Sequence, residues 1–171
     1  MKKNLIILIC VFLFNNISEA QTGVSGALSS DTTWSLADSP YNVIGSVLVP
    51  EGVTLTIEAG SVINFPDDYK ILVKGNIISS GTSESLITFN GNSSEGSNQM
   101  IIFKSTNLSN STLSYNVFNG PQRAIQLADE SEGNEDNTKN SGILTVTYSD
   151  FNSSGVYTKG YSTSAELKFE N

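Results

Sequence analysis

Among side chains that could do acid–base or metal chemistry, this 171-residue chain relies almost wholly on carboxylates, and the types it lacks narrow what it can catalyse. It has no histidine, one arginine (Arg123) and one cysteine (Cys10). A general acid–base pair needs two titratable groups held within reach of one bond. Arg123 would serve as a base in a groove only with carboxylates around it, and a lone arginine reads first as surface charge. Asp67-Asp68 is a carboxylate pair in a turn next to Pro66. Asp129, Glu130, Glu132, Glu135 and Asp136 crowd into the stretch from Asp129 to Asn140, and carboxylate oxygens at that density suit Ca²⁺. Their spacing does not follow a calcium-loop pattern, so the stretch reads as a solvated acidic loop. No catalytic, cofactor-binding or metal-ligating residue is assigned. Calcium at the acidic loop is the one ion the composition brings up, and no cofactor is expected.

The first twenty residues explain the single cysteine. Lys2 and Lys3 precede an apolar run, Leu5 to Phe14, that is too short to span a bilayer. Ser18-Glu19-Ala20 supplies small residues ahead of Gln21, so residues 1–20 read as a secretion signal cut before Gln21. Cys10 lies inside the apolar run and follows Ile9, not the small residue that a lipoprotein cysteine needs. It is expected to leave with the signal, so the mature chain has neither a disulfide nor a thiolate site. The chain carries a charge of −8; without Lys2, Lys3 and Glu19 it keeps seven basic and sixteen acidic residues, a charge of −9. That balance argues against nucleic acid and anionic lipid as partners, and with the signal it makes the expected location outside the cell.

The elements that would position any site are short. Val47-Leu-Val, Thr54-Leu-Thr-Ile, Val62-Ile-Asn-Phe, Ile71-Leu-Val, Asn76-Ile-Ile and Leu86-Ile-Thr-Phe are separated by Gly, Pro and Asn at close intervals. None is long enough for a helix, and β-branched residues dominate them. Strands this short bury themselves only by stacking in many copies. The predicted fold class is all-β, with no transmembrane span in the mature chain.

These segments carry a resemblance. Trp34, Ser39-Pro40-Tyr41, Val49-Pro50-Glu51-Gly52-Val53-Thr54-Leu55-Thr56-Ile57-Glu58-Ala59-Gly60, Ile71-Leu72-Val73-Lys74-Gly75 and Ile87-Thr88-Phe89 resemble the start of right-handed parallel β-helix, pectin-lyase-like domains of secreted and surface bacterial proteins. In those domains Glu-Pro-Gly usually follows the Thr-Leu-Thr-Ile segment, and here Ala59 replaces the proline. The resemblance implies residues 21–46 as an N-terminal cap segment and 47–171 as coils. It implies no activity, because one fold hosts many. Trp34 and Tyr41 read as part of the cap, with an exposed sugar-stacking platform as the alternative.

A repeat emerges from Phe89-Asn90-Gly91, Phe118-Asn119-Gly120 and Phe151-Asn152-Ser153, with Phe65 ending an equivalent strand. The phenylalanine spacings are 24, 29 and 33. Setting aside Asn92 to Asn98 and Asp129 to Asn140 as insertions brings the longer two close to the first, a period that suits one coil of three strands. Phe65, Phe89, Phe118 and Phe151 should then stack on the axis beside Ile63, Ile87 and Val117 or their neighbours. Asn90, Asn119 and Asn152 should hydrogen-bond along it as a ladder. Thr54-Leu-Thr56 and Thr145-Val-Thr147 are too few for a lattice-matched threonine face. Asn92, Asn107, Asn110 and Asn152 begin N-glycosylation patterns, which matter only in a eukaryotic source. Ala165 to Asn171 reads as one more strand, so continuation of the chain beyond it is expected.

The sequence thus predicts a secreted or cell-surface module with a structural, adhesive or carbohydrate-binding role, its partner a polysaccharide or surface glycan. The alternative is the N-terminal part of a polysaccharide lyase or glycoside hydrolase. Far-UV circular dichroism of the secreted chain should show β structure and almost no helix; a helix content near the globular average of about a third would exclude the solenoid reading.

Overall fold

A computed structural model describes residues 21–92, 99–104, 106–120, 123–128, 140–159 and 165–170. The predicted signal with Cys10, and nearly all of both polar insertions, lie outside the described residues. Among the described residues the short apolar runs form sixteen strands: β1 (Thr22–Ala27), β2 (Thr32–Trp34), β3 (Tyr41–Val49), β4 (Thr54–Ile57), β5 (Val62–Phe65), β6 (Ile71–Val73), β7 (Asn76–Ser80), β8 (Ile87–Gly91), β9 (Gln99–Lys104), β10 (Thr112–Ser114), β11 (Asn116–Asn119), β12 (Arg123–Ala128), β13 (Gly142–Thr147), β14 (Asp150–Asn152), β15 (Val156–Lys159) and β16 (Ala165–Glu170). No α-helix occurs among these residues; Leu36–Asp38 and Leu108–Asn110 are single 3₁₀ turns.

Every pairing between these strands is parallel. The chain visits three stacks in rotation. The first holds β2, β4, β7, β10, β13 and β16; the second holds the start of β3, then β5, β8, β11 and β14; the third holds the end of β3, then β6, β9, β12 and β15. The nine-residue β3 joins the second and third stacks, and β1 pairs along its other edge. The result is an all-β, parallel, solenoid-like fold. Parallel strands need a long crossover between partners, and here each crossover is the remaining two sides of a coil. Pairing within the first stack starts before residue 47, with Thr32 opposite Leu55.

Alternation of side chains puts one set inside. Leu55 and Ile57, Ile63 and Phe65, Ile71 and Val73 are buried, while Thr56, Asn64 and Leu72 between them are partly exposed. In the second stack Phe89, Phe118 and Phe151 lie in register, with ring centroids 4.9 Å apart at both steps. Each buried phenylalanine contributes about 1.5–3 kcal/mol of burial, and the ring pairs add about 0.5–1.5 kcal/mol each. Two expectations are corrected. Phe65 is not in this column: Ile63 opposes Phe89, and Phe65 opposes Gly91. Val117 faces outward opposite Thr88, and the inward place beside Ile87 belongs to Asn116. Buried Asn116 is tolerated because Ser79 Oγ donates to its Oδ1 at 2.6 Å and its Nδ2 donates to Ser79 O at 3.3 Å. With Phe118 inward, strict alternation puts Asn116 inward and Val117 and Asn119 outward, so the expected place of Val117 is inconsistent with that of Phe118.

The asparagine ladder is present and longer than the sequence suggested. Asn152 Nδ2 donates to Asn119 Oδ1 at 2.9 Å; Asn119 to Asn90, Asn90 to Asn64 and Asn64 to Asn42 follow at 3.0 Å each. Asn42 in turn donates to Gln21 Oε1 at 2.6 Å. The rungs are 22, 26, 29 and 33 residues apart, so the coils lengthen along the chain while the register holds. The ladder runs on the outer side of the second stack, half-buried along most of its length, because its members alternate with Ile63, Phe89 and Phe118.

Serine works at the corners. Where the chain turns between stacks, a hydroxyl accepts a backbone N–H from a neighbouring coil: Ser39 from Val62, Ser46 from Lys70, Ser111 from Ile77, Ser109 from Ile143 and Ser149 from Asn116. Asp31 does the same for Thr54. These bonds stand in for ladder bonds that a corner cannot make.

Phe118→Ala should cost about 3–5 kcal/mol, the loss expected for a cavity in a tight core. Asn90→Ala, which removes two ladder bonds, should cost about 1–3 kcal/mol. Glu84→Ala on an exposed turn should cost less than about 0.5 kcal/mol. Urea titrations giving equal losses for all three would disprove the assigned inward face and ladder.

Candidate functional site

The residues singled out for chemistry do not assemble into a site. Asp67 and Asp68 are exposed on the corner between β5 and β6. Arg123 begins β12 opposite Gln99, on the same corner two coils further on. The acidic stretch from Asp129 to Asp136 lies outside the described residues. Among the described residues no three carboxylates, cysteines or histidines cluster as a metal site would require.

The structure instead brings together residues that the sequence presents only as turn punctuation. Three successive corners between the third and first stacks, at Glu51-Gly52, Lys74-Gly75-Asn76 and Thr106 to Asn110, line a polar groove of about 230 Å³. Its lining is Glu51, Gly52, Lys74, Gly75, Asn76, Thr106, Asn107 and Asn110. Gly75 makes the close approach possible. A Cβ there would lie 2.1 Å from Val53 O and 2.2 Å from Pro50 O, which no side chain survives. Gly52 adopts φ +77, the left-handed turn that glycine enters without penalty.

The floor of the groove is fixed by its own hydrogen bonds. Thr106, 7% exposed, donates from Oγ1 to Gly75 O at 2.7 Å. Asn140 Oδ1 accepts from Thr106 N at 3.2 Å, and Asn140 Nδ2 donates to Phe103 O at 3.0 Å. Asn107 Oδ1 accepts from Ser109 N at 3.1 Å, and Asn76 Nδ2 donates to Thr54 Oγ1 at 3.4 Å. Three lining side chains are left over: the Glu51 carboxylate, the Lys74 ammonium and the Asn110 carboxamide make no bond among the described residues. Glu51 and Lys74 share the groove without forming an ion pair. The arrangement offers an acceptor, a cationic donor and a group that does both. Among the described residues no aromatic ring lines it.

The aromatic residues serve otherwise. Trp34 and Tyr41 are each 3% exposed and stack on one another, with centroids 5.0 Å apart, so they are core and not an open platform for sugar rings. Tyr115 and Tyr148 stack at 4.7 Å on the corner between the first and second stacks, and both adopt positive φ, 53 and 46. Their facing surfaces cover each other, and Tyr148 stays half exposed on that corner. Thr56, Thr112 and Thr145 share an outward row of the first stack, but Ile78 interrupts it, so no continuous threonine face forms there.

No protein-family model matches the chain, and no curated protein or solved structure matches it either.

Burial raises the Tyr41 phenol above its ordinary value of 10.0; hydrogen bonding to Ser35 acts against this, and Asp38 and Glu58 add to it. The fold therefore favours the neutral phenol. Below pH 10 both folded and unfolded chains keep the proton and the contribution is complete. Above it the unfolded chain ionises first, and stability falls until the folded phenol ionises too. Denaturant titrations from about pH 8 upward should show a loss of stability past pH 10 that is smaller in Tyr41→Phe. Parallel pH profiles for the two proteins would refute the assignment.

Proposed function

We propose that the chain is a right-handed parallel β-helix of the pectin-lyase-like kind, secreted or displayed on a bacterial surface, with residues 21–46 closing its N-terminal side. Its role is structural and adhesive: a rigid stalk that presents a shallow sugar-binding surface. The observation that carries this reading is the unbroken amide ladder from Gln21 to Asn152, beside a continuous buried core. A ladder repeated at every coil resists bending and twisting between coils, because each rung holds its neighbour's register. A scaffold built for rigidity, in a chain of net acidic charge, suits display better than turnover.

The alternative is the N-terminal part of a polysaccharide lyase or glycoside hydrolase. One observation favours it: Glu51 and Lys74 line the same groove, an acid and a cation across one cleft. Their chemistry requires a substrate polarised between them, and the lining residues include no third charged group to complete a reacting set.

Protease added to intact producing cells should remove the protein, and purified protein should adhere to a polysaccharide-coated surface. It should release neither unsaturated sugars nor new reducing ends from pectin, alginate or neutral glucans, with or without calcium. Turnover that disappears in Glu51→Ala or Lys74→Ala, with circular dichroism unchanged, would replace the adhesive reading with the enzymatic one.

A further inference from the structure

We infer that the groove between Glu51, Lys74 and Asn110 is a binding site for an uncharged, hydroxyl-rich glycan, an inference that rests on the adhesive reading above. Three observations converge on that ligand class. The first is the set of unspent groups. Of the polar side chains lining the groove, Thr106, Asn76 and Asn107 are engaged within the protein. The Glu51, Lys74 and Asn110 heads make no bond among the described residues. A carboxylate accepts from two hydroxyls, an ammonium donates to up to three oxygens, and a carboxamide does both. Together they match a surface of alternating hydroxyl donors and acceptors.

The second observation is charge. Glu51 and Lys74 cancel within the groove, and the rest of the mature chain is strongly acidic. A uronic acid polymer would meet one cation, an opposing carboxylate and a repelling field. A neutral polymer meets no such penalty. The third observation is the missing aromatic. Without a ring to stack on, the ligand is held through hydroxyls and not through its apolar face. The floor they meet is preorganised, with Thr106 pinned to Gly75, so little ordering is lost on binding. A cleft of about 230 Å³ is smaller than the ~300 Å³ of ordinary ligand pockets and suits a short length of a longer chain lying across three coils.

Affinity gel electrophoresis of the purified chain tests this. The neutral probes are mixed-linkage β-glucan, dextran, mannan and arabinoxylan; the anionic ones are polygalacturonate and alginate. At least one neutral polymer should retard the protein, and neither polyanion should retard it more. Glu51→Ala and Asn110→Ala should each weaken that binding about five- to tenfold, the loss of one or two hydrogen bonds. Tyr148→Ala, on a different corner, should leave it unchanged. The inference is overturned if no neutral polymer retards the chain, if only polyanions do, or if both groove variants bind as the parent does. Adhesion that persists in both groove variants would sink this site and leave the adhesive role standing; loss of all adhesion by the parent chain would sink that role itself.

Discussion

Register between successive coils is the constraint on which the rest of this structure depends. Parallel strands stack about 4.8 Å apart, so equivalent positions of successive coils are brought into contact whether or not their side chains suit each other. Where they match, the contact repeats along the axis. Phenylalanine on phenylalanine gives the stacked column from Phe89 to Phe151. Asparagine on asparagine gives the ladder from Asn42 to Asn152. The two sit on opposite sides of the same strands, and each reinforces the other. A slip of one residue would turn the phenylalanines outward and the amides inward, losing burial and stranding polar groups together.

That coupling explains how coils of unequal length keep one register. The intervals between rungs grow from 22 to 33 residues, yet the hydrogen-bond distances stay at 2.9 to 3.0 Å. At corners between strands, backbone groups would otherwise lose their partners. Serine and aspartate side chains recover several of them, as Ser39, Ser111, Ser149 and Asp31 do. Serine at these corners is thus structural in a chain that turns three times per coil.

The parts of the fold legible in the sequence were those that repeat. Phe-Asn pairs at Phe89, Phe118 and Phe151 announced both the stack and the ladder, because identical residues at a common spacing meet when coils stack. Asn42 and Asn64 carry no such mark. Tyr41 and Ile63 precede them in place of phenylalanine, and Phe65, one step past Asn64, mimics the repeated residue. The shift by two positions that puts Ile63 under Phe89 has no local signature; it is set by how the chain crosses the preceding corners. Asn116 illustrates a further limit. Alternation with Phe118 turns it inward, and the partner that makes a buried amide tolerable there, Ser79, lies 37 residues away. The groove was illegible for a related reason. Glu51, Lys74 and Asn110 belong to three separate turns, each ordinary by itself, and only stacking makes them neighbours.

The division between strands and corners has a chemical consequence. Strand positions in a stacked fold answer to the coils above and below, so substituting one disturbs a column. Corner positions are freer to change, except where glycine lets backbones nearly touch, as at Gly75, or where a serine or aspartate accepts a neighbouring coil's N–H, as at Ser111 and Asp31. The carboxylate, ammonium and carboxamide of the groove are all at corners, and the phenylalanine and asparagine columns are all on strands. A rigid interior with variable edges favours recognition spread along a surface over a deep reacting centre, because no corner alone encloses a ligand. Catalysis on such a frame needs several charged groups on adjacent corners at matched heights. The groove supplies two of opposite sign, Glu51 and Lys74, whose charges cancel, and the proposed neutral-glycan site rests on that balance.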